Sequence, residues 1–95
     1  MKKYELMYIL KADLDDEARK AEIEKLHGIL TSHGAKITNV NEWGLRDLAY
    51  EIKKQNKGYY VVVKVEADVE ATKEFDRLTR INNNVLRFLL INDQD

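Results

Sequence analysis

The chain has 95 residues and a formal net charge of −1 at pH 7, with 35% charged and 44% hydrophobic residues. This length predicts one domain, residues 1–95, with a single two-layered core, and the composition excludes a disordered chain. No apolar run is long enough to span a membrane, and the absence of cysteine excludes disulfides and thiolate metal sites. We therefore expect a cytoplasmic protein with no membrane partner.

The first half of the chain predicts a strand, a helix and a second strand. Apolar and polar residues alternate over residues 3–11, which is the pattern of a half-buried strand. Residues 13–34 predict a helix, because acids occupy its first turns, where the helix dipole favours them, and Gly34 follows its last turn. Residues 35–52 predict a long strand that Gly44 interrupts, and a glycine at this place predicts a bulge or bend.

The second half predicts a turn, a strand, a helix and a final strand. We place the turn at residues 55–58, which are polar and end in glycine. Residues 59–66 are the clearest strand of the chain. Asp68 can cap a helix over residues 69–80, and residues 85–91 form the last strand.

The order strand, helix, strand, strand, helix, strand is that of the split βαβ, or ferredoxin-like, arrangement. It belongs to the α+β class and folds as a four-stranded antiparallel sheet with two helices on one face and right-handed crossovers. The other face of the sheet is then left open to water or to a partner. Residues 92–95 follow the last strand, and we expect them to form a flexible tail.

The strand over residues 59–66 decides which face of the sheet lies under the helices. Its odd positions, beginning with Tyr59, are all apolar, whereas its even positions include Lys64 and Glu66. Burying either charge without a partner is costly, so the odd positions must face the helices. In the last strand, the same reasoning places Leu86, Phe88 and Leu90 in the core and Val85, Arg87, Leu89 and Ile91 on the open face. The open face thereby gains an apolar patch of Met7, Ile9, Tyr60, Val62, Leu89 and Ile91.

Charge is distributed unevenly along the chain. Residues 13–24 carry six acids and two bases, residues 45–64 carry five bases and two acids, and residues 77–92 carry three bases and no acid. A basic surface can therefore exist in a protein whose net charge is slightly negative.

The sequence contains few candidate catalytic residues, and we assign no catalytic residue, metal, cofactor or small-molecule substrate. The only histidines are His27 and His33. We expect His27 to be exposed on the flank of the first helix and His33 to lie near its C-terminus, where a cation is favoured. The sequence shows neither a glycine-rich phosphate loop nor a nucleophile with a base nearby, so we expect a protein that is not an enzyme.

Residues 57–64 are similar to the third-strand octapeptide of RNA-recognition-motif domains, which share this order of elements. Lys57, Gly58 and Tyr59 match, but Val61 replaces the second stacking aromatic. Because the burial argument places Tyr59 in the core, we reject base stacking of that kind. Contact between cations and phosphates remains as the mode of RNA binding.

A more specific resemblance rests on Gly44-Leu45-Arg46 followed by Leu48-Ala49-Tyr50-Glu51-Ile52. Further matching pieces, in order and spacing, are Lys3-Tyr4-Glu5, Gly34-Ala35, Gly58-Tyr59, Arg80-Ile81 and Asn84-Val85. Over nearly its whole length the chain resembles the bacterial small-subunit ribosomal protein S6 family. The resemblance implies a ferredoxin-like fold, a structural role in the small ribosomal subunit, and binding to the central domain of the small-subunit rRNA as a heterodimer with ribosomal protein S18.

The resemblance also implies which residues bind. Candidate RNA contacts at matching positions are Lys2, Lys3, Arg46, Lys53 and Arg87, and we add Lys54, Lys57 and Arg80. The partner is expected to cover the bent second strand and the nearby open face at Trp43, Leu45, Leu48, Tyr50, Tyr60, Val62, Leu89 and Ile91.

Two other functions remain open for this fold. One is a protein-interaction or ligand-sensing domain that homodimerises through its open sheet face without RNA. The other is a small hydrolase such as an acylphosphatase, which needs an arginine in a glycine-rich loop after the first strand. This chain has Lys11-Ala12-Asp13-Leu14 in that place.

Overall fold

The structure is a computed structural model that describes residues 1–92. Its elements are β1 (Lys2–Lys11), α1 (Asp16–Ser32), β2 (Lys36–Ile52), β3 (Gln55–Ala67), α2 (Val69–Arg80) and β4 (Val85–Asn92). The strands form one antiparallel sheet in the order β2-β3-β1-β4. The predicted ferredoxin-like α+β fold is confirmed. Of the expected tail, Asn92 ends β4, and residues 93–95 lie outside the described residues.

Local signals set both ends of α1. The Asp15 carboxylate accepts a hydrogen bond from the Ala18 amide at 2.7 Å and so caps the first turn. At the other end Gly34 adopts a φ of 80°, and the Ala35 amide donates to the Leu30 carbonyl at 3.1 Å. This is the Schellman arrangement, and it confirms the predicted role of Gly34.

The core lies between the two helices and the face of the sheet that they cover. The predicted orientation of β3 is confirmed, because its valines at odd positions are buried, whereas Lys64 is exposed. The other buried large side chains come from β1, α1 and α2: Tyr4, Leu6, Tyr8, Leu10, Ile23, Leu26, Leu30 and Phe75. Each fully buried apolar side chain stabilises the fold by roughly 1.5–3 kcal/mol. Leu90 is an exception, since its register places it opposite Leu6 but it remains 43% exposed.

A bulge at the start of β4 reverses part of the predicted pattern. The register between β1 and β4 shifts between Ile9 and Leu10. Val85 pairs with Leu10 and lies in the core, while Arg87 pairs with Ile9, so Leu86 is the extra residue. The prediction that Val85 faces outward was wrong, because one inserted residue inverts the alternation beyond it.

The hairpin between β2 and β3 turns earlier than predicted. Its turn is Lys53–Lys54, with φ of 49° and 64°, flanked by the pair Ile52 and Gln55. The predicted turn at residues 55–58 was wrong, and those residues belong to β3. Two-residue hairpin turns with both residues at positive φ normally contain asparagine or glycine, so two lysines carry no turn signal.

The two histidines differ in environment. His27 is half-buried, and its Nε2 forms a hydrogen bond with the Tyr8 hydroxyl at 2.9 Å. The expectation of an exposed His27 was wrong, because its ring provides the polar partner that a buried tyrosine hydroxyl requires. His33 lies at the end of α1 as expected, and its Nδ1 donates to the Ile29 carbonyl at 2.9 Å.

Candidate nucleic-acid and partner interface

The open face of the sheet carries an aromatic stack at a bulge in β2. Trp43 is the extra residue where the register shifts between Glu42 and Gly44, and Gly44 has a φ of 87°. The Trp43 and Tyr60 rings stack at 6.2 Å between centroids and 10° between planes. The Arg46 guanidinium carbon lies 4.9 Å from the Trp43 ring centroid. The predicted bulge is confirmed, and it presents a cation–indole–phenol stack in which Trp43 is 42% exposed.

The apolar patch continues from this stack across the sheet. The side chains of Met7, Val62 and Leu89 are half-buried without a helix above them, and Ile91 is exposed. The β1 register places Met7 between Val62 of β3 and Leu89 of β4, so these three side chains form a row across the sheet. The open face therefore offers a continuous apolar surface next to the stack.

Ile9 is not part of the available surface, because it is only 3% exposed. Its prediction as an open-face contact was wrong. A Cβ atom added at Gly58 would overlap the Ile9 Cγ2 atom and would lie 3.4 Å from the Leu48 Cδ2 atom. The missing side chain at Gly58 thus leaves room for Ile9 to pack on the backbone of β3, with Leu48 close by.

The far end of the β2–β3 hairpin reaches towards β4. We refer to residues 47–57, which extend past the last pair between β3 and β1, as the hairpin arm. Lys53 Nζ donates a hydrogen bond to the Val85 carbonyl at 3.1 Å, and Arg87 Nη1 donates to the Tyr50 hydroxyl at 3.0 Å. Because β1 separates β3 from β4 in the sheet, the arm must extend past β1 to make these bonds.

Three predicted RNA-binding cations surround one surface pocket between α2 and β4. Lys53, Arg80 and Arg87 line it together with Asp76. Arg80 forms an ion pair with Asp76 at 2.8 Å, which raises the pKa of the Arg80 guanidinium through that hydrogen bond. The partners of Lys53 and Arg87 are a carbonyl and a hydroxyl, neither of which carries a formal charge.

The side of the sheet that the helices cover carries acidic side chains near Tyr59. The Tyr59 hydroxyl donates to Glu42 at 2.6 Å, and this bond raises the pKa of Tyr59. The Arg19 guanidinium carbon lies 4.4 Å from the Tyr59 ring centroid, and Arg19 pairs with Asp16 at 2.5 Å. The acidic first turns of α1 therefore lie on the side of the sheet away from the aromatic stack.

Within residues 1–92, neither helix has the length and apolar character needed to cross a membrane. The same part of the chain contains no group of three or more histidine, aspartate and glutamate side chains placed to hold a metal ion.

Comparison with known proteins gives the family. The family model for ribosomal protein S6 matches residues 3–92. The chain belongs to the ribosomal protein S6 family. The crystal structure of 30S ribosomal protein S6 from Thermotoga maritima is similar to this S6-family chain, with 29% sequence identity and a TM-score of 0.91 over 97% of this chain and 87% of that one. The resemblance found in the motifs is confirmed, and so is the fold that it implied.

The predicted partner residues of this S6-family protein divide into three locations. Those on the open face are Trp43, Tyr60, Val62, Leu89 and Ile91. Leu48 and Tyr50 belong to the hairpin arm. Leu45 pairs with Tyr59 on the side of the helices, where it is 56% exposed. A partner that covers the open face would therefore meet Leu45 only by also wrapping the edge of β2.

The predicted RNA-binding residues also fall into separate places. Lys53, Lys54 and Lys57 lie on the hairpin arm, and the pocket joins Lys53 to Arg80 and Arg87. Lys2 and Lys3 pair with the end of β3, at the opposite end of β1 from the arm. Nine residues of strand separate these ends by about 30 Å, so the eight cations do not form one patch.

Two features of the site were absent from the sequence predictions. The Asp76–Arg80 ion pair could have been predicted from the sequence, since oppositely charged residues four positions apart on a helix are neighbours. The Tyr50–Arg87 bond joins residues 37 positions apart and has no local signal.

Proposed function

We propose that this S6-family protein is a structural, non-catalytic constituent of the small ribosomal subunit in the cytoplasm. It binds the central domain of the small-subunit rRNA together with ribosomal protein S18. The observation that carries the proposal is the position of Lys53 and Arg87 at the end of the open sheet face that bears the Trp43–Tyr60 stack. Apolar area and unneutralised cations thus lie side by side, as a complex of protein and RNA requires.

The open face supports the protein part of the proposal. Exposed aromatic side chains and arginine are the residue types enriched in the energetic centres of protein interfaces. Trp43, Tyr60 and Arg46 are already stacked on one another, so a partner need not order them on binding. The neighbouring row of Met7, Val62 and Leu89 supplies apolar area around this centre.

The charge distribution supports the RNA part. The net charge of −1 is low for a protein that binds RNA by itself. A basic partner on the open face would supply the missing positive charge, while Lys53 and Arg87 add two cations at defined positions. Each phosphate that they neutralise should add roughly 0.7–0.9 to the dependence of log K on log salt concentration.

The decisive experiment measures binding to a transcript of the central domain with and without purified S18. We expect affinity for the RNA to be far higher with S18 present, and equal affinity in both cases would contradict cooperative binding. Sedimentation of the pure protein tests the alternative. A tight homodimer at micromolar concentration that lacks affinity for RNA would favour an interaction domain that pairs through the open face.

A further inference from the structure

Lys53 and Arg87 are fixed in place by neutral acceptors. Lys53 Nζ donates to the Val85 carbonyl at 3.1 Å, and Arg87 Nη1 donates to the Tyr50 hydroxyl at 3.0 Å. By contrast, the nearby Arg80 donates to a carboxylate, which offsets its charge. A lysine ammonium has three N–H donors and an arginine guanidinium has five, so each keeps donors for a ligand.

The strained hairpin turn is a second and independent observation. Lys53 and Lys54 have φ of 49° and 64°, a conformation that is unfavourable for most residues other than glycine. Asparagine or glycine would occupy this turn at lower cost. The turn geometry therefore gives no reason for lysine at these two positions, whereas a ligand with negative charge does.

Lys53 and Arg87 line the same pocket at the edge of β4. An arginine guanidinium and a lysine ammonium that line the same pocket can both donate hydrogen bonds to the oxygens of one phosphate group. The Tyr50 side chain is 60% exposed, and its hydroxyl accepts the hydrogen bond that orients Arg87. Tyr50 is thus placed to restrict the rotamers of Arg87 without neutralising it.

We propose that Tyr50 is a positioning residue that holds Arg87 ready, so that Arg87 and Lys53 form a preorganised site for one phosphate group of an RNA chain. The inference rests on the RNA binding proposed above. Holding the guanidinium before RNA arrives removes part of the ordering cost that a free arginine side chain incurs on binding.

The test measures affinity for the central-domain transcript, with S18 present, as a function of salt. Tyr50→Phe keeps the ring and removes the hydroxyl, and we expect about three- to tenfold weaker binding. The salt dependence should not change, because no phosphate contact is lost. Arg87→Gln should instead lower the salt dependence by roughly 0.7–0.9. Tyr59→Phe is the matched control, since its hydroxyl bonds Glu42 on the other side of the sheet, and we expect unchanged affinity.

A double-mutant cycle separates positioning from a general structural effect. In the Arg87→Gln background, Tyr50→Phe should have no further effect on affinity. The same loss in both backgrounds, or no loss in either, would overturn the inference while leaving RNA binding intact. Failure of the unaltered protein to bind RNA would instead overturn the proposed function, and the inference with it. Thermal melting of each variant checks that the fold is retained.

Discussion

The Cγ2 methyl of Ile9 packs against the backbone of Gly58, at the place where any other residue would carry its Cβ atom. The contact covers an apolar side chain that no helix covers, since Ile9 lies on the open face of β1. It also shows why a glycine occupies an ordinary strand position of β3. Close approach of a side chain to the backbone, rather than a turn, requires glycine there.

Gly58→Ala should lower the free energy of unfolding by about 1–3 kcal/mol, because the new methyl overlaps Ile9 and forces it to move. Urea denaturation measures the change. Gly28→Ala is the control, since a Cβ at Gly28 in α1 meets nothing within 4 Å, and we expect stabilisation of about 0.5–1 kcal/mol. The cost at Gly58 should shrink in an Ile9→Ala background, and an unchanged cost would show that Ile9 is not the obstacle.

Lys54→Gly should raise the free energy of unfolding by about 0.5–1 kcal/mol. Relief of the positive φ gains about 1–2 kcal/mol and exceeds the extra entropy that glycine gives the unfolded chain. The same variant should weaken binding to the central-domain transcript, because it removes a cation from the hairpin arm. Lys57→Gly also removes a cation, but from β3, and should instead destabilise the protein by about 0.5–1 kcal/mol. If Lys54→Gly and Lys57→Gly changed the free energy of unfolding in the same direction, that result would contradict the turn geometry.

His27 should make stability fall as the pH is lowered. Burial lowers the pKa of His27 below 6.5, and the charge of Glu42 opposes this shift only in part. The folded protein therefore binds this proton less readily than the unfolded chain, so the stability from His27 is complete above pH 6.5 and is lost as the pH falls below it. Unfolding free energies measured at pH 7 and about pH 5.5 should differ less in His27→Gln than in the unaltered protein.

His33→Gln provides the comparison for this pH effect, because His33 is exposed at the end of α1. It should retain the full loss of stability between the two pH values. If both variants reduced the pH dependence of the unfolding free energy equally, the effect would have a cause other than the Tyr8–His27 contact.

Trp43→Ala should weaken the complex with S18 by about 2 kcal/mol or more, as expected for an aromatic side chain at the centre of an interface. The free protein should lose only about 0.5–1.5 kcal/mol of stability, the worth of a stacked aromatic pair. Isothermal titration with S18 and urea denaturation measure the two effects. Val69→Ala is the control, since Val69 is 44% exposed on α2, and its loss should leave S18 binding unchanged. Similar S18 affinities for the Trp43 variant and the unaltered protein would place the partner elsewhere.

The alternation of apolar and polar residues correctly predicted which side chains face the core where a strand is regular. The valines at odd positions of β3 lie in the core, and Lys64 lies outside. Alternation failed at Val85, because a bulge in the pairing of β4 with β1 inverts the pattern and leaves no mark in the sequence of β4 itself. The bulge at Trp43 was predictable, since Gly44 marks it.

The sequence alone determined the order of elements, the end of α1 at Gly34, the buried face of β3 and the family motif, because each depends on residues close together in the chain. Tertiary structure decided that the hairpin arm lies against β4, that Tyr50 meets Arg87 and that Ile9 is covered at Gly58. These contacts join residues far apart in the chain. Their energies depend on the curvature and register of the assembled sheet, which no local pattern records.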